Sequence, residues 1–383
     1  MKLLFNTILI FLMILACHCT NPSGNKNGKV QAYNPDSSVR YAKIFSISLG
    51  QNFKIIHLRG RANSSDTTTN FVLYTAEKPL VNLKNTKYIK IPCKRITSLS
   101  SIYSSMLTVV GNADDIVAIE NVDYYNNKEI TTRFNKGLVL EVQKGPEIDR
   151  EKMVHLYPDV VFAFGMGKQA NEFDEKMEKA GIPLVVCIDH LEESPLARAE
   201  WIKFFAAFVD KDSIANAIFK DVERDYHQLR NLASSFHQCP TVFTELKYGD
   251  TWYMPGGKSY MAQLIKDAHA CYLWAEDSAR GSLPLSFETV YRQAANADYW
   301  LNVSMCKSKS QLLEQEKRYA DFAAFKGNRI FNNNRYSNAL NYSTYWETGM
   351  IFPNKILSDL IQLFHPGEAN KPDSVLYYYT QLQ

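Results

Sequence analysis

The chain has 383 residues, of which 46% are hydrophobic and 22% charged, with a formal net charge of +3. That length exceeds one core of typical size, so two domains are expected. The near-neutral charge gives no footing for nucleic acid as a partner, and the densest basic segment, KSKSQLLEQEKR, is balanced by Glu314 and Glu316.

The chain opens MKLLFNTILIFLMILACHCT. Lys2 supplies a basic end, and the apolar run from Ile8 to Ala16 is too short to span a bilayer as a helix, so residues 1–16 read as a secretory signal peptide. Ile14-Leu15-Ala16-Cys17 is similar to a lipobox, in which a small residue precedes a cysteine that becomes lipidated. Lipidation at Cys17 and a membrane anchor are therefore expected; the alternative is an ordinary signal cleaved near Cys17 or Cys19. Residues 17–40 are rich in Asn, Gly and Ser and read as a flexible tether. None of the seven cysteines has CxxC spacing, which argues against a zinc cluster. An oxidising compartment permits one disulfide. Cys187 and Cys306 sit in or beside apolar runs and read as buried free thiols.

Residues 41–93 alternate short apolar runs with polar turns (AKIFSISLG, FKIIHLRG, NFVLYTAE, KYIKIPC), which predicts a small antiparallel β element on the first lobe. Over 94–193 the pattern changes to β-rich runs alternating with helix-like segments at 100–111, 147–156 and 169–180. That is the pattern of a parallel α/β lobe. Residues 194–236 hold no strand signal. SPLARAEWIKFFAAFV reads as one helix, and a second, capped by Asp212, runs to Phe236 with Ile214, Ile218, Val222, Tyr226, Leu229 and Leu232 on one face. Alternation resumes over 237–383, with helices expected at 259–269, 286–296, 310–325 and 353–364. The expected fold is α/β: two Rossmann-like lobes with parallel sheets joined by a single long helix, plus the N-terminal β element.

Several stretches resemble the substrate-binding proteins of importers for iron chelates and cobalamin. KRITSLSSIYSSMLTVVGNADDIVAIENVDYY is similar to that family's opening strand, Ser-containing turn and helix. EIDREKMVHLYPDVVFAFG, GIPLVVCID, GSLPLSFETVYRQAANADYWLNV and WETGMIFPNKILSDLIQLFHPG follow in the family's order. The resemblance covers about residues 94–367; residues 41–92 have no counterpart in the smaller members. It implies a binding protein rather than an enzyme. Its bound solute would be cobalamin, haem or a ferric siderophore, and its partner the transmembrane dimer of an ATP-driven permease. It also implies a monomer with no resident cofactor. Two acids resemble the family's permease-docking glutamates: Glu288 in PLSFET, and Glu172 in KQANEFDEKM with Glu175 as the fallback.

In open parallel sheets, ligands bind beyond the carboxyl ends of the strands. Aromatic residues expected there are Tyr124, Tyr125, Phe164, Trp252, Tyr253, Tyr336, Tyr345 and Trp346. Such flat side chains suit a large, partly apolar ligand. Arg335, Arg280 and Lys247 could offset ligand carboxylates. Gly256-Gly257-Lys258-Ser259 lacks the first glycine of a phosphate loop, Trp252 standing there, and reads as a turn before a helix whose glycines permit close approach to a ligand. The alternatives are a bare zinc or manganese binder and an enzyme or metallocluster scaffold on the same lobes. His190 follows a strand at a ligand-side end, but His155, His227 and His237 do not obviously converge with it. No nucleophile elbow or metalloprotease helix occurs.

Overall fold

A computed structural model describes residues 30–60, 68–144, 147–165, 177, 179–367 and 375–383. Cys17, Glu172 and Glu175, together with most of the helix expected at 169–180, lie outside the described residues.

Period-two alternation builds the N-terminal sheet. Along Phe53–Arg59, Ile56 and Leu58 face one core while Phe53 and Ile55 face another, as opposite sides of a pleat must. The five strands run in chain order from Tyr33–Pro35 to Thr86–Lys90, all antiparallel except the last pair. One expectation is corrected here. Tyr33–Pro35 pairs with Phe45–Gly50 and so belongs to the sheet, although its polar surroundings read as tether. The element packs on the linking helices, where Phe71 meets Phe208 at 6.2 Å, as well as on the first lobe, where Lys87 donates to Leu184 O.

The reason lies in WIKFFAAF. Trp201–Phe208 is helical with all eight residues buried, Lys203 being its one charge. A helix apolar all round must be covered on every side. Phe45 meets Trp201 and Phe204 at 5.2 and 5.3 Å from the N-terminal sheet. From the first lobe, Phe162 and Tyr103 meet Phe205 at 4.9 and 5.0 Å. Buried carboxylates stitch the layers together. Glu200 accepts the backbone N–H groups of Arg40, Tyr41 and Ala42, and Glu192 accepts those of Lys43 and Ile44.

Pro195–Ala199 and Trp201–Phe208 are two helices meeting at Glu200, not the single helix expected. The long helix runs Asp212–Ala233, with Asp212 inside it and Lys211 at the cap position. Its buried stripe is Ala215, Phe219, Val222, Tyr226 and Ala233, while Ile214 and Leu232 are exposed. The expected face is thus shifted by about one residue at its ends, because small Ala215 and Ala233 allow close packing there.

The first-lobe sheet is fully parallel in the order Leu184–Cys187, Val160–Phe164, Ile96–Leu99, Ile116–Ile119, Leu140–Glu141. The second-lobe sheet is ordered Cys271–Tyr272, Thr241–Thr244, Tyr299–Leu301, Ile330–Asn332, Thr380–Gln381, with only the last pair antiparallel. A disulfide joins Cys239, just before strand Thr241–Thr244, to Cys271 in the neighbouring strand, and Cys93, Cys187 and Cys306 are buried free thiols. The helix expected at 310–325 is broken into Lys309–Gln315, a 3-10 turn Lys317–Asp321 and Ala323–Lys326, because Glu316 is extended.

Candidate functional site

Polar residues gather where the strands end. The residues directly after the first-lobe strands are Ser100, Glu120, Gly165 and Ile188, and those directly after the second-lobe strands are Glu245, Asn302 and Asn333. Ser100 caps helix Ser101–Val109, its side chain accepting from Ile102 N–H. Glu245 and Asn302 take left-handed backbone angles, with φ of 67° and 57°, where the chain leaves the sheet.

The two lobes touch at these ends. Glu347, in a π-helical turn Tyr345–Gly349 of the second lobe, accepts the N–H of Asn126 at 2.8 Å and of Asn127 at 3.3 Å. Asn126 donates its amide to Tyr342 O, and Asn338 donates to Asp123 O, both at 2.6 Å. The Tyr124 and Tyr342 rings lie 4.9 Å apart. Burial pushes Glu347 up to about 7 and Glu120 up to about 8, and the nearby Glu347 carboxylate adds to the rise at Glu120. Tyr125 donates its hydroxyl to Glu120 at 2.9 Å. Burial likewise raises Glu245 to about 8. Nothing in the sequence signalled Glu347, Asn126 or Asn338 as partners, since each reads as an ordinary polar residue.

The aromatic expectations divide by side. Trp252 is 0% exposed and packs with Phe243, Trp300, Tyr319 and Phe322 in the second-lobe core, donating its indole N–H to Thr244 O at 3.0 Å. It is a core residue, not a ligand contact. Its neighbour Tyr253 is 49% exposed, because adjacent strand residues point to opposite faces. The other doublets split alike. Tyr345 is buried beside Tyr378 and Tyr379 while Trp346 is 48% exposed. Tyr125 is buried on Glu120 while Tyr124 faces Tyr342. Tyr125 and Tyr345 are therefore also corrected to structural roles. Phe164 is 37% exposed at its strand's end, its ring 4.7 Å from that of His190.

Two of the three cations are engaged within the chain. Arg280 pairs with Glu193 at 2.5 Å, and Lys247 with Glu316 at 2.9 Å. Arg335 and Tyr336 are exposed and line a cavity of about 540 Å³ at the lobe junction. Gly256 and Gly257 serve the chain's own backbone. A Cβ at Gly256 would stand 2.3 Å from Ala279 O, and one at Gly257 would stand 2.4 Å from Asp277 O. The turn therefore closes on residues 275–281, which corrects the expectation of a ligand there. Glu288 is exposed in the first turn of helix Phe287–Ala294 and pairs with Arg318 at 3.0 Å. Among the described residues, no group of three or more His, Cys, Asp or Glu side chains is placed to hold a metal ion.

Residues 96–334, more than half of the chain, match the family model described as periplasmic binding protein. An uncharacterized lipoprotein of Methanocaldococcus jannaschii is 26% identical over 353 residues, covering 89% of this chain and 79% of that protein. Among solved structures, a periplasmic heme-binding protein from Roseiflexus sp. RS-1 superposes with a TM-score of 0.56 at 20% identity, over 72% of this chain and 99% of that one. The periplasmic vitamin B12 binding protein of Vibrio cholerae gives 0.52 at 15% identity, over 73% and 99%. Both establish the two-lobe fold.

Proposed function

The chain belongs to the periplasmic binding protein family, and from that premise we propose that it is a lipid-anchored solute-binding protein of an ATP-driven importer. It captures a large metal chelate, a cobalamin, haem or ferric siderophore, between its lobes and delivers it to the permease without chemical change. The observation that carries this reading is a set of partly exposed aromatics: Phe164 at the end of a first-lobe strand, and on the second lobe Tyr253 in strand Thr251–Pro255 and Trp346 in the turn Tyr345–Gly349. Large apolar rings left partly in water are what a flat, partly apolar ligand needs. The Cys239–Cys271 disulfide is in keeping with an oxidising compartment. The names of the structural neighbours support haem and vitamin B12 as candidates.

The test is an absorption titration of the purified chain with cobalamin, haem and ferric siderophore in turn. One of the three should bind stoichiometrically with a shifted spectrum. Failure of all three at micromolar concentrations would overturn the chelate class.

A further inference from the structure

The cavity of about 540 Å³ at the lobe junction has an unusual lining. Lys128 enters from the first lobe, and Lys307 and Arg335 from the second. The rest are amides, hydroxyls and one phenol, with no acidic side chain; Gln383 also lines it, and its main-chain oxygen accepts the Lys309 N–H at 2.5 Å. Among the described residues, no carboxylate lies within 4.0 Å of the three cations. Arg335 does feel Asp359, but that carboxylate is buried and already accepts the N–H groups of Tyr377, Tyr378 and Tyr379. The larger cavity of about 790 Å³ beside helix Tyr260–Asp267 is different, since Lys43 and Lys258 share it with Glu193 and Glu276.

Like charges gathered in a concave site repel one another and focus a positive potential that concentrates anions. Lysine and arginine beside neutral hydrogen-bonding groups hold oxyanions by charge-assisted bonds. We propose that this cavity binds a multiply charged oxyanion, held by Lys128 on one side and by Lys307 and Arg335 on the other. Because its ligands come from both lobes, the anion would bridge them. The site does not depend on which chelate the aromatic residues hold. The oxyanion is either free in solution or an acidic group carried by the solute, and the recognising chemistry is the same.

Inorganic pyrophosphate is the probe, titrated calorimetrically into the unmodified full chain at low salt. Saturable one-site binding is expected, weakening as salt rises. Lys307→Gln with Arg335→Gln should weaken it by about tenfold or more, a change of about 1.4 kcal/mol. Lys128→Gln alone should also weaken it, whereas Lys258→Gln at the other cavity should not. Hydrogen exchange on the unmodified chain should show pyrophosphate protection at residues 126–128 and 334–337, independently of how the variants fold. Displacement of pyrophosphate only by chelates bearing free acidic groups would assign the site to the solute; simultaneous binding would assign it to a free anion. No saturable binding at millimolar pyrophosphate, or equal affinity in the double variant, would overturn the proposal.

Discussion

The Glu347 carboxylate of the second lobe accepts the backbone N–H of Asn126 of the first at 2.8 Å, across 221 residues of sequence. It is nearly fully buried and also serves Asn127. Its acidity bears on how stability changes with pH. The folded chain raises Glu347 to about 7 and Glu120 to about 8, against an ordinary 4.5. The folded state therefore holds these protons more tightly than the unfolded state. The associated stability is fully present below the ordinary value and is lost as pH rises through the raised ones. Melting temperature should fall between about pH 5 and pH 8. Glu347→Gln keeps an acceptor for Asn126 but does not titrate, so its melting curve should be flatter over that window. An equally steep curve in the variant would rule out this origin.

Glu200 holds the N-terminal element to the linking helices by accepting three successive N–H groups, with Lys203 as its counterion at 2.9 Å. Glu200→Ala would leave those donors without their acceptor and the buried Lys203 ammonium without its counterion, with Ser38 O still accepting from it. A loss of about 3–5 kcal/mol is expected, read by urea denaturation. Limited proteolysis should cut near residues 36–44 in the variant well before it cuts the lobes.

Trp252 and Trp346 should respond oppositely to truncation. Trp252→Ala empties the centre of the second-lobe core and should cost about 3–5 kcal/mol of stability. Trp346, half-exposed, should leave the melting temperature nearly unchanged on conversion to Ala while weakening solute binding by about 2 kcal/mol or more. Parental affinity in Trp346→Ala, for whichever chelate the chain binds, would move the pocket away from that turn.

Glu288 is exposed and tied to Arg318, whose guanidinium lies 3.9 Å over the Phe287 ring. An exposed pair contributes little to stability, so Glu288→Lys should fold and bind solute normally. If the acid docks the permease, the variant should fail to stimulate ATP hydrolysis by the reconstituted transporter, most strongly when combined with Glu172→Lys. Full stimulation by the double variant would return both to plain surface charge.

Cys17→Ala tests the anchor. The protein should move from membrane to soluble fractions or remain unprocessed, and acyl labelling should disappear. Retention with labelling intact would place the lipid elsewhere.

Much of the fold is legible because its causes are local. Serines at positions 100, 194, 259 and 286 each cap the helix that follows, and a cap is a short-range hydrogen bond written in adjacent residues. The change from period-two runs to alternating strands and helices after residue 93 separates the N-terminal sheet from the first lobe, because periodicity follows from backbone geometry. The family's order of segments could be read for the same reason.

The site was less legible, because it is made of pairings that sequence distance hides. Trp252 and Tyr253 are neighbours with the same promise on paper, yet which one faces the core depends on strand register, and that is set by pairing with Ser282–Leu285. Arg280 and Lys247 looked available until the fold brought Glu193 and Glu316 against them. Glu347 meets Asn126, and Lys128 shares a cavity with Lys307 and Arg335, only because the two lobes come together at one junction. The sequence by itself carried the two-lobe order and most of the elements. Tertiary structure alone decided which of those residues face water, which face each other and which lie in a core, because burial and charge pairing are properties of the packed chain.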